Sequence, residues 1–330
     1  MELSLPDLAL DPERTARLRH GAVVARVPRA LLRVSGPGAV ACLQGLVTID
    51  VDKPGDDSVG WGALLTHKGM IETDLWVLRR GGGFTLVLPE AGAPAARAIF
   101  ARSLPPRLAK VEDLTADSAT LLLLGGNARQ VLTASGLTGD QRPGHLASTL
   151  TPQGEILIAR PPHDLPFGAL LVGAGTAIEE AERRLLAAGA TAGGAAEAEA
   201  ARILAGWPAL GAEIDDRTLP QEVRFDELGG VSYTKGCYLG QETVARLHFR
   251  GHPNRELRGL LWADADPLAD RAIVGADREA GTVRSTLTLD GRRIGLAPIR
   301  REVATGDEVM AGGRPATVVP LPVAADLLGG

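Results

Sequence analysis

The 330-residue chain carries a net charge of −5, is 45% hydrophobic and 23% charged, which places it among globular proteins of about two or three domains and against strong non-specific nucleic-acid binding. Its apolar runs, such as Leu121 to Leu124, fall far short of the roughly 18 residues that span a bilayer, so no membrane span is expected. The first twenty residues lack the basic-then-apolar order of a secretion leader, and the two cysteines, Cys42 and Cys237, are too few for a disulfide framework; a cytoplasmic monomer is the expectation.

In chain order, the first strand-like run is "ALLRVSG" from Ala30, followed by a short helical stretch "PGAVACLQGLV" that holds Cys42 as a structural residue. "WGALLTHKGMIETDLWVLRR" then reads as two strands flanking a turn at His67-Lys68-Gly69. Alternation along the second strand puts Glu72, Asp74 and Trp76 on one face and Ile71, Thr73, Leu75 and Val77 on the other. By pattern alone Asp74 is a solvated strand aspartate on the less aliphatic side. "FTLVLPEAGAPAARAIFARSL" from Phe84 continues as strand, turn and amphipathic helix.

Both strand–glycine–helix segments return downstream. "TLLLLGGNARQVLTASG" from Thr120 repeats the first, and "GALLVGAGTAIEEAERRLLAAGA" from Gly168 repeats the second, at offsets of roughly 85–90 residues. Two matching pairs at nearly one offset predict a duplicated α+β unit, residues 22–112 and 118–192. A low-complexity linker from Ala190 leads into a helix around "AEAARILAG". From about residue 250 short apolar runs alternate with Gly, Asp and Pro, the texture of a small β-barrel or sandwich.

Chemistry concentrates in "KGCYLGQE", Lys235 to Glu242. Lysine occurs only at Lys53, Lys68, Lys110 and Lys235 in an arginine-dominated background, which makes Lys235 informative. Gly236 and Gly240 bracket Cys237, and a helix is predicted to begin near Gly240. A thiol ahead of a helix N-terminus and beside a lysine suits a reactive thiolate; a free cysteine beside Tyr238 and Leu239 equally suits a buried small hydrophobe. The six histidines and two cysteines show no CxxC or HExxH spacing, so no metal site is expected.

The stretch "LPQEVRFDELGGVSYTKGCYLGQETVAR" closely resembles the signature of the YgfZ family of folate-binding proteins, in the superfamily of the glycine-cleavage T-protein, an aminomethyltransferase. "RILAGWPALGAEI", "LLRVSGPGAVACLQGLVTIDV" and "GALLTHKGMIETDLWVLR" extend the similarity over most of the chain. The resemblance implies an α+β fold: a duplicated ferredoxin-like folate-binding core, residues 1–250 with the signature segment 200–250, followed by a small C-terminal β-barrel at 251–330, enclosing a central cavity. It implies tetrahydrofolate or a one-carbon derivative as cofactor, and iron–sulfur client or assembly proteins as partners. The implied role is iron–sulfur cluster assembly or repair together with tRNA modification; the alternative is a folate-dependent aminomethyltransferase. By position, Lys235 and Cys237 fall on the signature as working residues and Asp74 on the catalytic aspartate of T-proteins. Asp74, Gln241, Glu242, Arg246 and Arg250 are the implied folate-binding residues. In one departure, Leu204 stands where T-proteins have a glutamate gripping the pterin, which implies that folate binds weakly, in another pose, or through Glu213 or Glu242.

Overall fold

The structure is a computed structural model that describes residues 8–137, 142–163, 166–275 and 278–323; the opening segment read for a leader falls partly on residues 1–7, outside this range. Two sheets carry the predicted duplication. In the first, the strands run in the order Ser58–Leu65, Ile71–Arg80, Gly83–Leu88, Ala30–Ser35, Lys110–Asp113. In the second, Leu146–Thr151, Gly154–Ala159, Ala169–Ala174 and Ser118–Leu124 take the same places. Numbered within each unit, both sheets read second, third, fourth, first. Each unit is a ferredoxin-like arrangement, extended by one strand in the first sheet and by two in the second, and among the described residues the chain has seven α-helices.

The glycine that ends the first strand of each unit shows why the pattern is visible in sequence. Gly36 and Gly125 have φ values of +130° and +97°, and a Cβ would lie 2.6 Å from Leu108 O and 2.5 Å from Gly21 O respectively. Only glycine tolerates both the conformation and the approach. The helices Ala39–Gln44 and Ala93–Ser103 cover one face of the first sheet through Leu43, Ile99 and Phe100. Ala128–Ala134 and Gly175–Ala187 cover the second sheet through Val131, Leu132, Ile178 and Leu185.

Two short strands depart from the sequence reading. Val23–Ala25, expected to open the first unit, pairs with Ser118–Leu124 and with Thr191–Ala192 in the second sheet. The supposed linker therefore supplies an edge strand at Thr191 and Ala192. Leu8–Ala9 lies parallel to Ser285–Leu289 beside the C-terminal region. Runs of two or three residues bury too little surface to leave a periodic signal, and distant partners define them.

The C-terminal strands Arg255–Trp262, Ala272–Gly275, Arg278–Thr282, Arg292–Arg300, Glu308–Ala311 and Arg314–Val319 close into a six-stranded antiparallel barrel, the ring completed by Gly281 against Ile299. Leu260, Trp262, Ile273, Ile299 and Val318 fill it. The outer wall of the barrel, the uncovered faces of both sheets and the helix Ala195–Ala205 meet in one central core. Among the described residues no helix is long and apolar enough to cross a membrane.

Candidate functional site

Asp74 sits in that central core. The ladder pairs Trp61 with Trp76 and Ala63 with Asp74, so Trp61 is the diagonal neighbour of Asp74 on the same face, within reach of a long side chain. The Trp61 indole Nε1 donates to Asp74 Oδ2 at 3.2 Å. Trp207 packs against Trp61 with ring centroids 4.7 Å apart and stacks on Trp76 at 5.6 Å, while Phe225 lies 4.1 Å from Trp61 and Phe167 4.9 Å from Trp76. Three of the chain's four tryptophans thus converge here.

This corrects the solvated-aspartate reading. Asp74 and Trp76 do share a face, but Trp207 and Phe225 arrive from distant segments to cover it, and Asp74 is only 8% exposed. Its Oδ1 has no hydrogen-bond partner. Burial raises the Asp74 pKa above its ordinary value, against the opposing pull of Arg29 and the Trp61 bond. Ile71, assigned to the opposite face, joins the Trp76 cluster because the ladder shifts register between Leu64 and Leu65.

Two arginines attract the carboxylate form of Asp74. Arg29, just before the strand Ala30–Ser35, is half-buried, and desolvation lowers its pKa against the attraction of Asp74 and Glu199. Arg202, on the helix Ala195–Ala205, bonds Glu199 twice, at 2.6 and 2.8 Å, and Glu213 Oε2 at 2.8 Å. It also donates to Ser285 Oγ on a strand beside the barrel and to Trp207 O, fixing the segment that carries Trp207. Burial disfavours its charge, but Glu213 and Glu199 more than compensate and hold its pKa above the ordinary value. Glu213, 1% exposed, is committed: Ser285 Oγ donates to one oxygen, and Arg202 and the Ala209 amide to the other. It is not a free acid for a ligand.

The signature loop lies against the first unit. Lys235 is buried, and its Nζ donates to Val47 O and Ile49 O at 2.7 Å each. Burial lowers its pKa to about 8, against the pull of Asp50. Its ammonium therefore ties the loop to residues 47–49. The Leu239 amide bonds Gly45 O, and Gly240, at φ +80°, comes so close to the hairpin turn that a Cβ would lie 2.4 Å from Thr66 O. The predicted helix follows as Gln241–Arg250. Cys237 is exposed at the tip of this pinned loop, whereas Cys42 is half-buried against the first unit's core. Iodoacetamide at neutral pH is therefore expected to label Cys237 well before Cys42, as peptide mapping of partially alkylated protein would show; equal rates would mean that the loop is not presented this way.

The structure does not gather the whole implied folate set around Asp74. Gln241 accepts a bond from the Tyr238 amide at 3.3 Å, within the signature loop. Glu242, Arg246 and Arg250 are exposed on that helix, which buries only Val244. Sequence reading did not single out Arg29, Arg202 or the tryptophans. The scarcity of aromatic residues, 3% of the chain, was the only local signal for the last.

A cavity of about 440 Å³ opens beside the aromatic cluster, lined by Phe167, Leu204, Ala201, Arg160 and Arg129 among others. It shares Phe167 with the cluster, so it ends against a wall of the Asp74 site. Among the described residues its lining includes arginines and no carboxylate.

Comparison with known proteins follows the same outline. Residues 26–143 match the GCVT N-terminal domain family. An aminomethyltransferase of Rubrobacter xylanophilus is 31% identical over 304 residues, 87% of this chain and 78% of that protein. The tRNA-modifying protein YgfZ of Cronobacter sakazakii is 28% identical over 289 residues, 84% of each chain, and that of Edwardsiella ictaluri 31% over 249 residues, 70% of this chain and 67% of its own. The crystal structure of glycine cleavage system aminomethyltransferase T from Bartonella henselae superposes with a TM-score of 0.81 at 21% identity, covering 95% of this chain and 89% of that one, a likeness of fold.

Proposed function

Because the chain belongs to the YgfZ family of the glycine-cleavage T-protein (aminomethyltransferase) superfamily, we propose that it binds tetrahydrofolate or a one-carbon derivative at Asp74 and supports iron–sulfur cluster assembly or repair. The observation that carries the ligand is the unpartnered Asp74 Oδ1, buried in a cluster of tryptophans that adjoins a cavity through Phe167. A buried polar atom without a partner costs about 1–3 kcal/mol, and a heterocycle offering an N–H would recover it. Indole faces suit a pterin ring, and arginines in the adjoining cavity suit its anionic glutamyl tail. With Leu204 on the cavity wall, Glu213 occupied and Glu242 exposed on the helix Gln241–Arg250, Asp74 is the buried acid with an oxygen open to the pterin.

A bound tetrahydrofolate would supply the one-carbon or reduced-pterin chemistry. The chain's own part is to hold the ring away from water, orient it through Asp74, and present Cys237 to a partner from the surface. In this reading residues 1–250 form the folate-binding unit and 251–330 the barrel, acting as a cytoplasmic monomer that meets iron–sulfur client or assembly proteins and so supports tRNA modification. The exposure of Cys237 favours a thiol that works on a second protein rather than inside the cavity.

Folinic acid at a hundredfold excess over its dissociation constant is expected to stabilise the protein by about 2.7 kcal/mol, measurable as a thermal shift. Absence of both a shift and calorimetric heat at millimolar folinic acid would remove the folate. For the cellular role, Cys237→Ala in a deletion background is expected to lower iron–sulfur enzyme activity while leaving the melting temperature near wild type. Full complementation by that variant, alongside failure of Asp74→Asn, would favour the second reading.

That second reading is aminomethyl transfer, supported by the name of the Rubrobacter relative and by a carboxyl able to take a proton at a folate nitrogen. Turnover with methylene-carrying lipoyl protein, ammonia and folate would establish it.

A further inference from the structure

The helix Gln241–Arg250 is fixed on one side and uncovered on the other. Gln221 Nε2 donates to Val244 O at 3.0 Å, the His248 ring stacks on Tyr233 with centroids 3.6 Å apart, and His248 Nδ1 lies 3.3 Å from Asp226 Oδ2. At about 100° of turn per residue, Glu242, Arg246 and Phe249 fall opposite the buried Val244, with Arg250 beside them. Phe249 is 67% exposed, whereas every other phenylalanine, tryptophan and tyrosine among the described residues is buried or half-buried. Edge-on contacts with His248 at 4.9 Å and Tyr233 at 5.8 Å between centroids hold it outward. The charges on this face are unanswered as well. Arg246 and Arg250, one helical turn apart, make no hydrogen bond or ion pair among the described residues. The three acids in the hollow beside the helix are already taken: Asp226 by Tyr233 and His248, Glu227 by Arg224, and Glu256 by Arg258. Glu242, a turn before Arg246 on the same face, bridges neither arginine.

We propose that this face is a docking surface for an acidic segment of a partner protein, whose carboxylates meet Arg246 and Arg250 and whose apolar side chain packs on Phe249. An aromatic anchor held by neighbouring rings and flanked by arginines is the composition that concentrates binding energy in protein interfaces. Exposed Cys237 sits in the loop just ahead of the helix, so a segment lying along its roughly 15 Å of length ends at the thiol. The proposal rests on the reading that Cys237 works on a second protein, and it names the surface that protein uses. It also gives Arg246 and Arg250 a task away from Asp74. A nucleic-acid strand fits this face less well, because Glu242 would meet its phosphates and the chain's net charge of −5 repels a polyanion.

The test measures how fast Cys237 of the full-length protein exchanges with a synthetic peptide of glutamate and leucine that carries a thionitrobenzoate disulfide at one end. The Cys237 thiolate attacks the peptide sulfur, a new S–S bond forms, and thionitrobenzoate leaves with the electron pair of the old one. A control peptide has glutamine in place of glutamate. Wild type is expected to react with the acidic peptide at least about tenfold faster at low salt, the gap closing as salt screens it. Arg246→Glu combined with Arg250→Glu is expected to abolish or reverse the preference, and Phe249→Ser to slow the acidic peptide. Iodoacetamide rates check that the thiol itself is unaltered, and melting temperatures that the variants fold; the wild-type comparison needs no variant. Equal wild-type rates for the two peptides, or a preference that survives the double charge reversal, overturns the proposal. So does a single-stranded RNA of about twelve nucleotides that shields Cys237 from iodoacetamide where the acidic peptide without its disulfide does not. In a deletion background, iron–sulfur enzyme activity that is lost with Cys237→Ala but full with the double charge reversal overturns the docking surface and leaves the thiol reading standing. Full activity with Cys237→Ala removes the thiol reading, and the docking surface with it.

Discussion

Arg202→Met is expected to cost about 3–5 kcal/mol of stability and to lower the melting temperature by on the order of 10 °C, the largest effect of any single substitution considered. The cause is what it leaves behind. Glu213 would remain 1% exposed with only Ser285 Oγ and the Ala209 amide as partners, an uncompensated charge in the core. The same change frees Trp207 O, one of the bonds that hold the tryptophan over Asp74, so ligand affinity should fall with stability. Denaturant unfolding measures the first and calorimetry the second. A loss below about 1 kcal/mol would mean that the Arg202–Glu213–Ser285 group behaves like an exposed ion pair.

Asp74 variants are expected to separate stability from binding. Burial raises the Asp74 pKa above 3.8, so in the pH range between the unfolded and folded values the native state holds a proton that the unfolded chain has released. Stability contributed by this group therefore falls as pH rises through that window. Asp74→Asn removes the titration, so its melting temperature should approach that of wild type near pH 4 and exceed it increasingly toward neutrality. Arg29 and Arg202 oppose the trend by attracting the carboxylate. Asp74→Ala removes the acceptor altogether and should weaken folinic acid by about 1.5–3 kcal/mol, roughly 10- to 100-fold. A difference between Asp74→Asn and wild type that stays constant with pH would show that the carboxyl is not desolvated. Unchanged ligand affinity in Asp74→Ala would show that it does not face the ligand.

The parts legible in sequence were those fixed by local rules. Gly36 and Gly125 recur because each ends a strand in a conformation and a contact that only glycine allows, which is how the duplication surfaced. Gly69 marks the hairpin turn and Gly240 the loop against it, and the glycine-punctuated short runs after residue 250 became the barrel. The Asp74 environment was hidden because it is assembled from residues far apart in the chain. Alternation placed Asp74 and Trp76 on one face, but nothing local says that Trp207 and Phe225 will cover it, or that the charge of Arg29 will act on it. Lys235 was singled out as unusual, and its ammonium serves the carbonyls of Val47 and Ile49, acceptors no side-chain pattern reveals. The strands Leu8–Ala9 and Val23–Ala25 escaped for the same reason, their pairing partners lying far along the chain.

A crystal structure of the full-length protein soaked with folinic acid tests the central claim most directly. The account predicts the pterin against the aromatic cluster of Trp61, Trp76 and Trp207, with a ring N–H within hydrogen-bond distance of Asp74 Oδ1, and Cys237 free at the surface. A pterin bound at the exposed helix Gln241–Arg250 or against Cys237, with Asp74 Oδ1 still without a partner, would contradict it.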